Sequence, residues 1–453
     1  MTVDQRRGSL LVIFLTVLID LLGFGMVLPL LPLYGDQFAR MHDLSPTQVG
    51  WTVGLLMASF SAMQFLFLPI WGRLSDRIGR RPVLIVGLTG STLFYALFGL
   101  STAWQSLIGL FIARIGAGIA GATISTAQAY IADVTTKEKR AKGMALIGAA
   151  FALGFTLGPL LGAVALLGDG KAELSPWPGY TAACLSGVAL LLAIFRLPES
   201  LRPGASAVTA RSWWDSSSMR AALATPSVGT LIVTSFIAVF SFANFESTLS
   251  KLIDKIMLQF EAGTLESPLL TRLTAAIYRR GYDDANDVRL IVVLVVFAFL
   301  GLVLTLAQGV LVRRLAGRLS EATMAVVGAL SAIAGFALLG WAARADDFPL
   351  VLVAIAIEVV GFAFVNPSLQ SLISRRSDPA RQGGILGLAQ SATSLARIFG
   401  TLYGLRLFAQ SPPGTYWSAA GLMCVGLALI IVAARGGRDY PSAPAAAAGR
   451  LDG

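Results

Sequence analysis

The stretch GRLSDRIGRRPV, residues 72–83, places four arginines, one aspartate and two glycines between two long apolar segments. The chain as a whole is 55% hydrophobic and only 13% charged. Such a concentration of charge in one short turn means that the turn and the segments beside it lie in different environments.

The environment of the apolar segments is a lipid bilayer. A chain of 453 residues with a mean hydropathy of +0.73 is too apolar to fold as soluble domains. A helix needs about 20 mostly apolar residues to cross a bilayer, and runs of that length recur along the chain. We predict an all-α membrane protein with twelve transmembrane helices in two pseudo-symmetric six-helix bundles, at residues 9–33, 48–71, 82–102, 104–132, 142–167, 179–197, 225–250, 289–311, 322–342, 349–373, 383–409 and 416–435.

The basic residues predict the orientation. Lys and Arg accumulate in short cytoplasmic loops, and most of the 35 basic residues fall in segments that would be cytoplasmic if both termini were inside. We therefore expect a multi-pass protein of the cell (inner) membrane with both termini cytoplasmic. The net charge of +10 is spread over these segments without interleaved aromatic residues, which favours contact with anionic lipids over a nucleic-acid partner.

The charged turn is then the cytoplasmic connection between spans two and three. Its glycines permit tight backbone geometry, and its arginines meet the inner membrane surface. Asp76 either balances this local charge or acts as a latch that pairs in one conformation only. The candidate latch residues of this turn are Gly72, Asp76, Arg77, Gly79, Arg80 and Arg81.

The chain also repeats itself. Residues 118–162 resemble residues 361–404, and Gly158 of the first segment aligns with Gly400 of the second. Both segments occupy the fourth and fifth spans of their half, which predicts a transporter with a substrate site at midplane between two related bundles. The expected domains are an N-terminal bundle at 1–200, a cytoplasmic linker at 201–224, a C-terminal bundle at 225–440 and a disordered tail at 441–453.

Taken together, these features resemble the major facilitator superfamily over nearly the whole chain. GRLSDRIGRR matches the family's loop signature, G-x-x-x-D-R-x-G-R-[RK], completely. The stretches IDLLGFGMVLPLLP (19–32) and AGIAGATISTAQAYIADVT (117–135) are similar to the drug/proton antiporter branch, particularly the tetracycline/proton antiporters. The resemblance implies secondary transport, with efflux as the expected direction.

A second signature lies in span five. GFTLGPLLGA (154–163) resembles the family's antiporter motif, G-x-x-x-G-P-x-x-G-G, except that Ala163 replaces its last glycine. Small residues permit close helix approach and a proline bends the span, although ordinary tight packing in a symporter would need the same residues. The candidate motif residues are Gly154, Gly158, Pro159 and Gly162.

Ionisable groups within spans are candidates for coupling, because each costs about 2.5 to 3.5 kcal/mol at the bilayer centre. Asp20 lies halfway along span one, where desolvation favours its neutral, protonated form. It is the leading candidate for proton coupling or for contact with a cationic substrate. The alternative is that its carboxyl makes a structural hydrogen bond. Arg114 in span four resembles the arginine of the family's antiporters, and either modulates a carboxylate or has a permanent structural partner.

In the second half, Glu246 lies near the outer part of span seven. It is a candidate for proton coupling or substrate contact, and a solvated position is an equal alternative. Glu358 in span ten and Arg397 in span eleven could form an intramembrane ion pair, which would make both structural. Four uncharged side chains are candidates for a ligand cavity or for hydrogen bonds between helices. They are Gln64, Gln128, Asn366 and Gln390.

The resemblance further implies an inner charge network. Asp133 and Arg140, between spans four and five, would join the Asp76 turn in a network that favours the outward-facing state; a solvated loop pair is the alternative. The second half has only GVLVRRLAGRLS (309–320), with no acid at the corresponding place.

One segment departs from the family. At about 251–288, where a short outer loop is expected, the apolar residues are spaced for two amphipathic helices. Ser267 and Pro268 suit the start of the second helix, and Gly281 its end. We expect an elaboration on the membrane surface, with a substrate lid as the alternative.

The energy source is expected to be an ion gradient, since the sequence has no G-x-x-x-x-G-K-[ST] phosphate loop and no metal-ligand cluster. We expect no enzyme activity, no metal and no cofactor. The only histidine, His42, lies in a predicted outer loop, so carboxylates must carry any proton. Cys184 and Cys424 lie in separate spans and are interpreted as packing residues.

The sequence thus predicts a proton-coupled antiporter that exports small amphiphilic, drug-like molecules by alternating access. Its partners would be the small-molecule substrate, protons and the lipid bilayer, and its assembly a monomer. The alternatives are a proton-coupled transporter of a sugar or other metabolite, and a receptor on the same fold that does not transport.

Overall fold

The computed structural model describes residues 3–135, 140–166, 174–201, 226–279, 285–315, 318–377 and 382–436. Twelve membrane-depth segments, called spans 1 to 12, follow one another along these ranges. Spans 1 and 4 each consist of two helices, and span 8 ends in a π-helical turn. Spans 1 to 6 are, in order, Val3–Val27 with Leu31–Arg40, Pro46–Ile78, Arg80–Ala103, Leu107–Gly121 with Ile124–Val134, Arg140–Leu166 and Trp177–Arg196. Spans 7 to 12 are Pro226–Glu261, Ala285–Leu306 with Ala307–Val312 and Arg313–Leu315, Glu321–Ala345, Phe348–Arg376, Gln382–Phe408 and Pro412–Gly436.

Local sequence explains several boundaries. Pro29 and Pro32 lack the backbone N–H that a continuous helix would need, and span 1 breaks beside them. The side chain of Ser45 caps span 2 by accepting a hydrogen bond from the backbone of Gln48. Gly79 separates spans 2 and 3 with a φ of 107°, a backbone conformation that other residues rarely adopt.

Eleven of the spans are long and apolar enough to cross a bilayer. Span 11, at 27 residues, has the length but is less apolar, because it carries Gln390, Arg397 and Arg406. The prediction of twelve membrane helices is confirmed, with span 11 as a helix whose polar side chains need partners other than lipid.

The spans form two bundles that repeat one packing scheme. Span 1 packs against spans 5 and 6, and span 7 packs against spans 11 and 12 in the same way. Span 3 packs against spans 4 and 6, as span 9 does against spans 10 and 12. The bundles meet where span 5 packs against span 8 and where span 2 packs against span 11. These two contacts are equivalent, because span 5 corresponds to span 11 and span 2 to span 8 in the repeat. The two-bundle prediction is therefore confirmed.

The repeated glycines lie at equivalent contacts. A Cβ at Gly158 would lie 2.7 Å from the carbonyl oxygen of Leu22 on span 1, and a Cβ at Gly400 would overlap the carbonyl oxygen of Phe240 on span 7. Each glycine thus lets the fifth helix of its bundle touch the backbone of the first.

Span 7 corrects the predicted outer segment. The first of the two expected amphipathic helices is the uninterrupted continuation of span 7 to Glu261, and its apolar face is buried at Leu249, Leu252, Ile253 and Ile256. The second helix is present as Pro268–Tyr278, capped by Ser267. Gly281 lies outside the described residues, as do most of the predicted linker and the whole predicted tail.

Contacts between the bundles lie in their outer halves and at mid-membrane. A Cβ at Gly54 of span 2 would meet Leu402 of span 11, and one at Gly162 of span 5 would meet Leu294 of span 8. At mid-membrane the hydroxyls of Thr156 and Thr305 are 3.1 Å apart. One buried apolar cluster runs through the outer half of the N-terminal bundle into the C-terminal bundle.

The inner halves lie apart. Among the described residues, and apart from the helix's own backbone, no heavy atom lies within 4 Å of a Cβ built at Gly72, Gly148, Gly309 or Gly387, on the inner parts of the same four spans. The core of the N-terminal bundle on this side is a separate cluster that includes Ile13 and no residue of the C-terminal bundle. The described parts of the bundles therefore make contact on one side, here called outer, and lie apart on the other, here called inner.

A matched pair of glycine variants tests the backbone contact between spans 1 and 5. Gly158→Ala should lower the free energy of unfolding by about 1 to 3 kcal/mol, because its Cβ meets backbone atoms. Gly148→Ala on the same helix meets open space and should be neutral or stabilise by up to about 1 kcal/mol through helix propensity. Denaturation of the purified protein in detergent measures both, and equal effects of the two substitutions would contradict this packing.

Candidate transport site and its gates

Asp20 lies inside the N-terminal bundle. Its Oδ1 accepts a hydrogen bond of 2.8 Å from the hydroxyl of Ser186 on span 6, and the hydroxyl of Ser91 on span 3 donates a second one. In the described residues no cationic side chain forms an ion pair with this half-buried carboxyl. Neutral hydroxyl donors, rather than a cation, therefore hold this carboxyl.

Arg114 is 3% exposed and does not contact Asp20. Its guanidinium lies 4.5 Å from the ring centre of Phe60, and its Nε has no hydrogen-bond partner. The buried phenol of Tyr95 on span 3 lies in the neighbourhood of both Asp20 and Arg114. The predicted approach of the acid and the arginine is absent from this conformation.

Glu246 is buried rather than solvated. Its side chain is 6% exposed, and its Oε2 accepts a hydrogen bond of 2.8 Å from Nη1 of Arg397 on span 11. This pair replaces the predicted pair of Glu358 with Arg397. The sequence alone does not show which of the two acids pairs with Arg397. The packing of span 11 against span 7 brings Arg397 to Glu246.

Glu358 is 1% exposed, and its Oε2 has no hydrogen-bond partner. Gly335 on span 9 packs directly on the backbone and Cβ of Glu358. It borders a small cavity inside the C-terminal bundle.

The uncharged candidates are dispersed. Gln128 and Gln390 are exposed in the inner halves of spans 4 and 11, where the bundles lie apart. Asn366 on span 10 is half-buried, and the side-chain amide of Gln64 donates a long hydrogen bond of 3.4 Å to the carbonyl of Gly121. Only Gln64 among these four has a hydrogen bond that ties it to a neighbouring span in the described part of the chain.

The inner charge network is built around Arg80. Its Nη1 lies 2.5 Å from Asp76 Oδ1, and its Nε lies 3.1 Å from Asp133 Oδ2 on span 4. The side chain of Arg77 is exposed, and that of Arg140 lies outside the described residues. Asp76, Arg80 and Asp133 are thus joined by ion pairs within the N-terminal bundle, whereas the role of Arg140 and the preference for the outward-facing state stay predictions.

Glu199, just after span 6, is a member of this network that sequence reasoning missed. Its carboxylate accepts hydrogen bonds of 2.9 Å and 3.1 Å from the backbone N–H groups of Arg80 and Arg81. It thus caps the positive N-terminal end of span 3. The signal that could have found it is the acid in LPES (197–200), which lies on the same membrane side as the arginine-rich turn.

The antiporter motif joins helices within and between the bundles. Gly154 packs on Leu21 and Gly158 on Gly25, both of span 1, while Gly162 faces Leu294 of span 8. Pro159 lies inside the span 5 helix.

The outer side is closed by an ion pair between the bundles. Lys251, on the extension of span 7, contacts Asp36 on the outer helix of span 1, and both side chains are at most 20% exposed. Asp36 also accepts a hydrogen bond of 2.6 Å from Arg40. A charged vestibule of about 840 Å³ lies beside this pair, between the outer ends of spans 1, 2, 7, 8 and 11.

Two bundles that enclose an inward-facing opening, with buried charges at membrane depth, define a membrane transporter. The family model described as Major Facilitator Superfamily matches residues 13–401. The chain belongs to this superfamily and is a multi-pass membrane protein.

Relatives support this assignment. The chain is 31% identical to the tetracycline resistance protein of class C from Escherichia coli, covering 94% of this chain and 96% of the relative. It is 29% identical to human major facilitator superfamily domain-containing protein 10, covering 92% and 90% respectively.

Solved structures share the fold. The crystal structure of the human organic anion transporter MFSD10 (TETRAN) has a TM-score of 0.64 at 25% identity and covers 94% of this chain and 99% of that one. The xylose transporter XylE from E. coli, in a partially occluded inward-open conformation, has a TM-score of 0.68 at 17% identity and covers 95% and 98%. The chain is thus a secondary active transporter, and its tetracycline-resistance relatives support drug efflux.

The ion pair between Asp36 and Lys251 predicts how the outer side opens. In a Leu405→Cys background, Lys251→Met should raise the rate of labelling by an impermeant maleimide added from outside about tenfold. The reason is that loss of a charged hydrogen bond costs about 1.5 kcal/mol, which corresponds to about a tenfold change in the population of the open state. Leu405 is 2% exposed between spans 2 and 11, so it reacts when the bundles part. Cys184 and Cys424 are replaced beforehand.

The control is Lys255→Met, one turn along the helix. Lys255 pairs with Asp346 at 2.7 Å inside the same bundle, so its loss should leave labelling unchanged. Asp36→Asn should act like Lys251→Met, and the double variant should be no faster than either single one. Equal labelling in the Lys251 and Lys255 variants would show that the pair between the bundles does not hold the outer side closed.

Proposed function

We propose that this protein is a proton-coupled antiporter that exports small amphiphilic, drug-like molecules across the cell (inner) membrane. It works as a monomer in the lipid bilayer with both termini in the cytoplasm, and it acts as a transporter rather than an enzyme, with no metal and no cofactor. The observation that carries the proposal is Asp20, an acid at membrane depth held by two hydroxyls and no cation, in a chain related to tetracycline resistance proteins.

The proposed cycle begins in the inward-open state. A substrate enters from the inner leaflet or the cytoplasm, between the inner halves of the bundles, where Gln128 and Gln390 offer hydrogen bonds. The bundles then rock about the mid-membrane contact between Thr156 and Thr305. Proton entry accompanies substrate exit, and a potential of about 100 mV supplies about 2.3 kcal/mol per charge moved.

Asp20 is the proposed main protonation site. A carboxyl with neutral donors ionises less readily than one beside a cation, so it can carry a proton from the outward-facing state into the inward-facing state, where the proton is released. Arg114 is its proposed modulator: movement of span 4 would bring the guanidinium closer, through the region of Tyr95, and favour release of the proton. The Arg80 network at the inner surface is the proposed latch of the outward-facing state.

A second candidate function is transport of an organic anion. It is favoured by the resemblance to MFSD10 and by the buried, carboxylate-free Arg114. A sugar or metabolite symporter and a receptor without transport are distinguished by the same measurements, because they move protons in the other direction or not at all.

Inverted membrane vesicles test the coupling. Addition of a transported drug should dissipate an imposed pH gradient, and Asp20→Asn should abolish this response because the amide cannot bind a proton. Asp43→Asn, in the exposed outer loop, is the matched control and should keep it. A pH response in Asp20→Asn as large as in the unaltered protein would refute the role of Asp20, and no response in the unaltered protein would refute antiport.

A ligand screen tests the substrate class. Substrates bind the folded protein and raise its apparent melting temperature by mass action. Antibiotics, cationic dyes and other amphiphiles should stabilise the purified protein, whereas sugars should not. Stabilisation by organic anions alone, lost in Arg114→Gln, would favour the second candidate instead.

A further inference from the structure

Glu358 occupies an apolar environment that is unusual for a carboxyl. It borders a cavity of about 10 Å³ between spans 7, 9, 10 and 12, which is close to the lower limit for a single water molecule. Its Oε2 is buried and has no hydrogen-bond partner. The other residues of the cavity are all apolar: Ala238, Ala332, Phe336, Phe362, Val365 and Met423.

The charged neighbours of Glu358 come from two elements. Glu246 lies on span 7, which packs against span 10, and Arg397 on span 11 is the partner of Glu246. Spans 9 and 12 present apolar side chains to the cavity. On span 8, Arg289 lies near the outer end and faces Asp254, which is on span 7.

The charges of Glu358, Glu246 and Arg397 do not balance if both acids are ionised. Two carboxylates would share one guanidinium, and Glu246 already has it at 2.8 Å. Glu246 itself keeps one buried oxygen, Oε1, without a partner. An ionised Glu358 would have no cationic partner among the described residues, and its cavity has room for one water molecule at most, so the group must hold a proton.

We infer that Glu358 and Glu246 form a second proton-binding site, inside the C-terminal bundle, whose proton is controlled by Arg397. In the inward-open state Glu358 is the neutral acid and Glu246 the ionised partner of Arg397. The inference rests on the proposed proton-coupled function and adds to it a site that is separate from Asp20.

Arg397 is suited to control this site because it belongs to a moving contact. Its side chain is 36% exposed, whereas both acids are buried. Span 11 packs between span 7 of its own bundle and span 2 of the other one. When the bundles rock, withdrawal of Arg397 leaves Glu246 without its cation, and Glu246 then takes up a proton. Its return expels that proton, so the site exchanges one proton per cycle.

Infrared spectroscopy of the purified, reconstituted protein detects the proton directly. A protonated carboxyl has a carbonyl stretch that a carboxylate lacks. Subtraction of the Glu358→Gln spectrum from that of the unaltered protein at neutral pH should reveal one such band, and Arg397→Gln should add a band that Glu246→Gln removes. An unchanged spectrum in Glu358→Gln, or no added band in Arg397→Gln, would overturn the inference.

Controls separate this site from other acids. Glu321→Gln should remove no band, because Glu321 accepts a hydrogen bond of 2.7 Å from Arg375 and is ionised. Glu358→Leu addresses folding: a neutral acid without partners should be replaced by leucine with no fall in melting temperature. A clear fall would indicate a structural hydrogen bond at Glu358 and would contradict the inference.

Transport measurements show whether the site turns over. At a membrane potential of about 100 mV, loss of one proton from the cycle should reduce the accumulation ratio up to about 50-fold. Glu246→Gln should therefore accumulate less substrate, because the exchanged proton belongs to Glu246, and an unchanged ratio would overturn the exchange step. If the unaltered protein shows the infrared band but moves no protons, the proposed function fails while the proton-binding site stands.

Discussion

The structure depends on one constraint: a bilayer interior cannot solvate charge, so every ionisable group at membrane depth needs a partner, a proton or access to water. The chain meets it in different ways. Glu246 has Arg397, Asp20 has two serine hydroxyls, Arg114 lies on the face of an aromatic ring, and Glu358, without such a partner among the described residues, holds a proton in our account. These unequal solutions make the interior responsive to protons, because a small movement of one cation changes which acid can be charged.

The second feature is where the bundles touch. Within each bundle, glycines bring the first and fifth helices to backbone contact, which makes the bundle a rigid unit. Between the bundles, contact is confined to the outer half and mid-membrane, and it includes the ion pair of Lys251 with Asp36. Rigid units joined along part of their length can rock, and charge pairs at their edges decide which side is open.

Much of this follows from the sequence, because apolar runs, positive loops and paired glycines are local signals. The number of spans, the two bundles and the network around Arg80 could be predicted. The partner of Arg397 could not be, because two acids were available and helix packing chose Glu246. The extension of span 7 cannot be told from a surface helix by sequence, since the spacing of Leu249 to Ile256 shows an apolar face but not what covers it. Glu199 and Lys251 act through contacts with distant segments, which no local pattern reveals.

Distances between spin labels on the two bundles test the central claim of rocking most directly. One label pair belongs at the exposed inner positions Ile78 and Leu311, and another at the exposed outer positions Met41 and Leu258. Between the resting protein and protein with both a transported drug and a pH gradient, the inner distance should shorten while the outer distance lengthens. Distances that stay fixed, or that change in the same direction at both ends, would contradict alternating access by two rigid bundles.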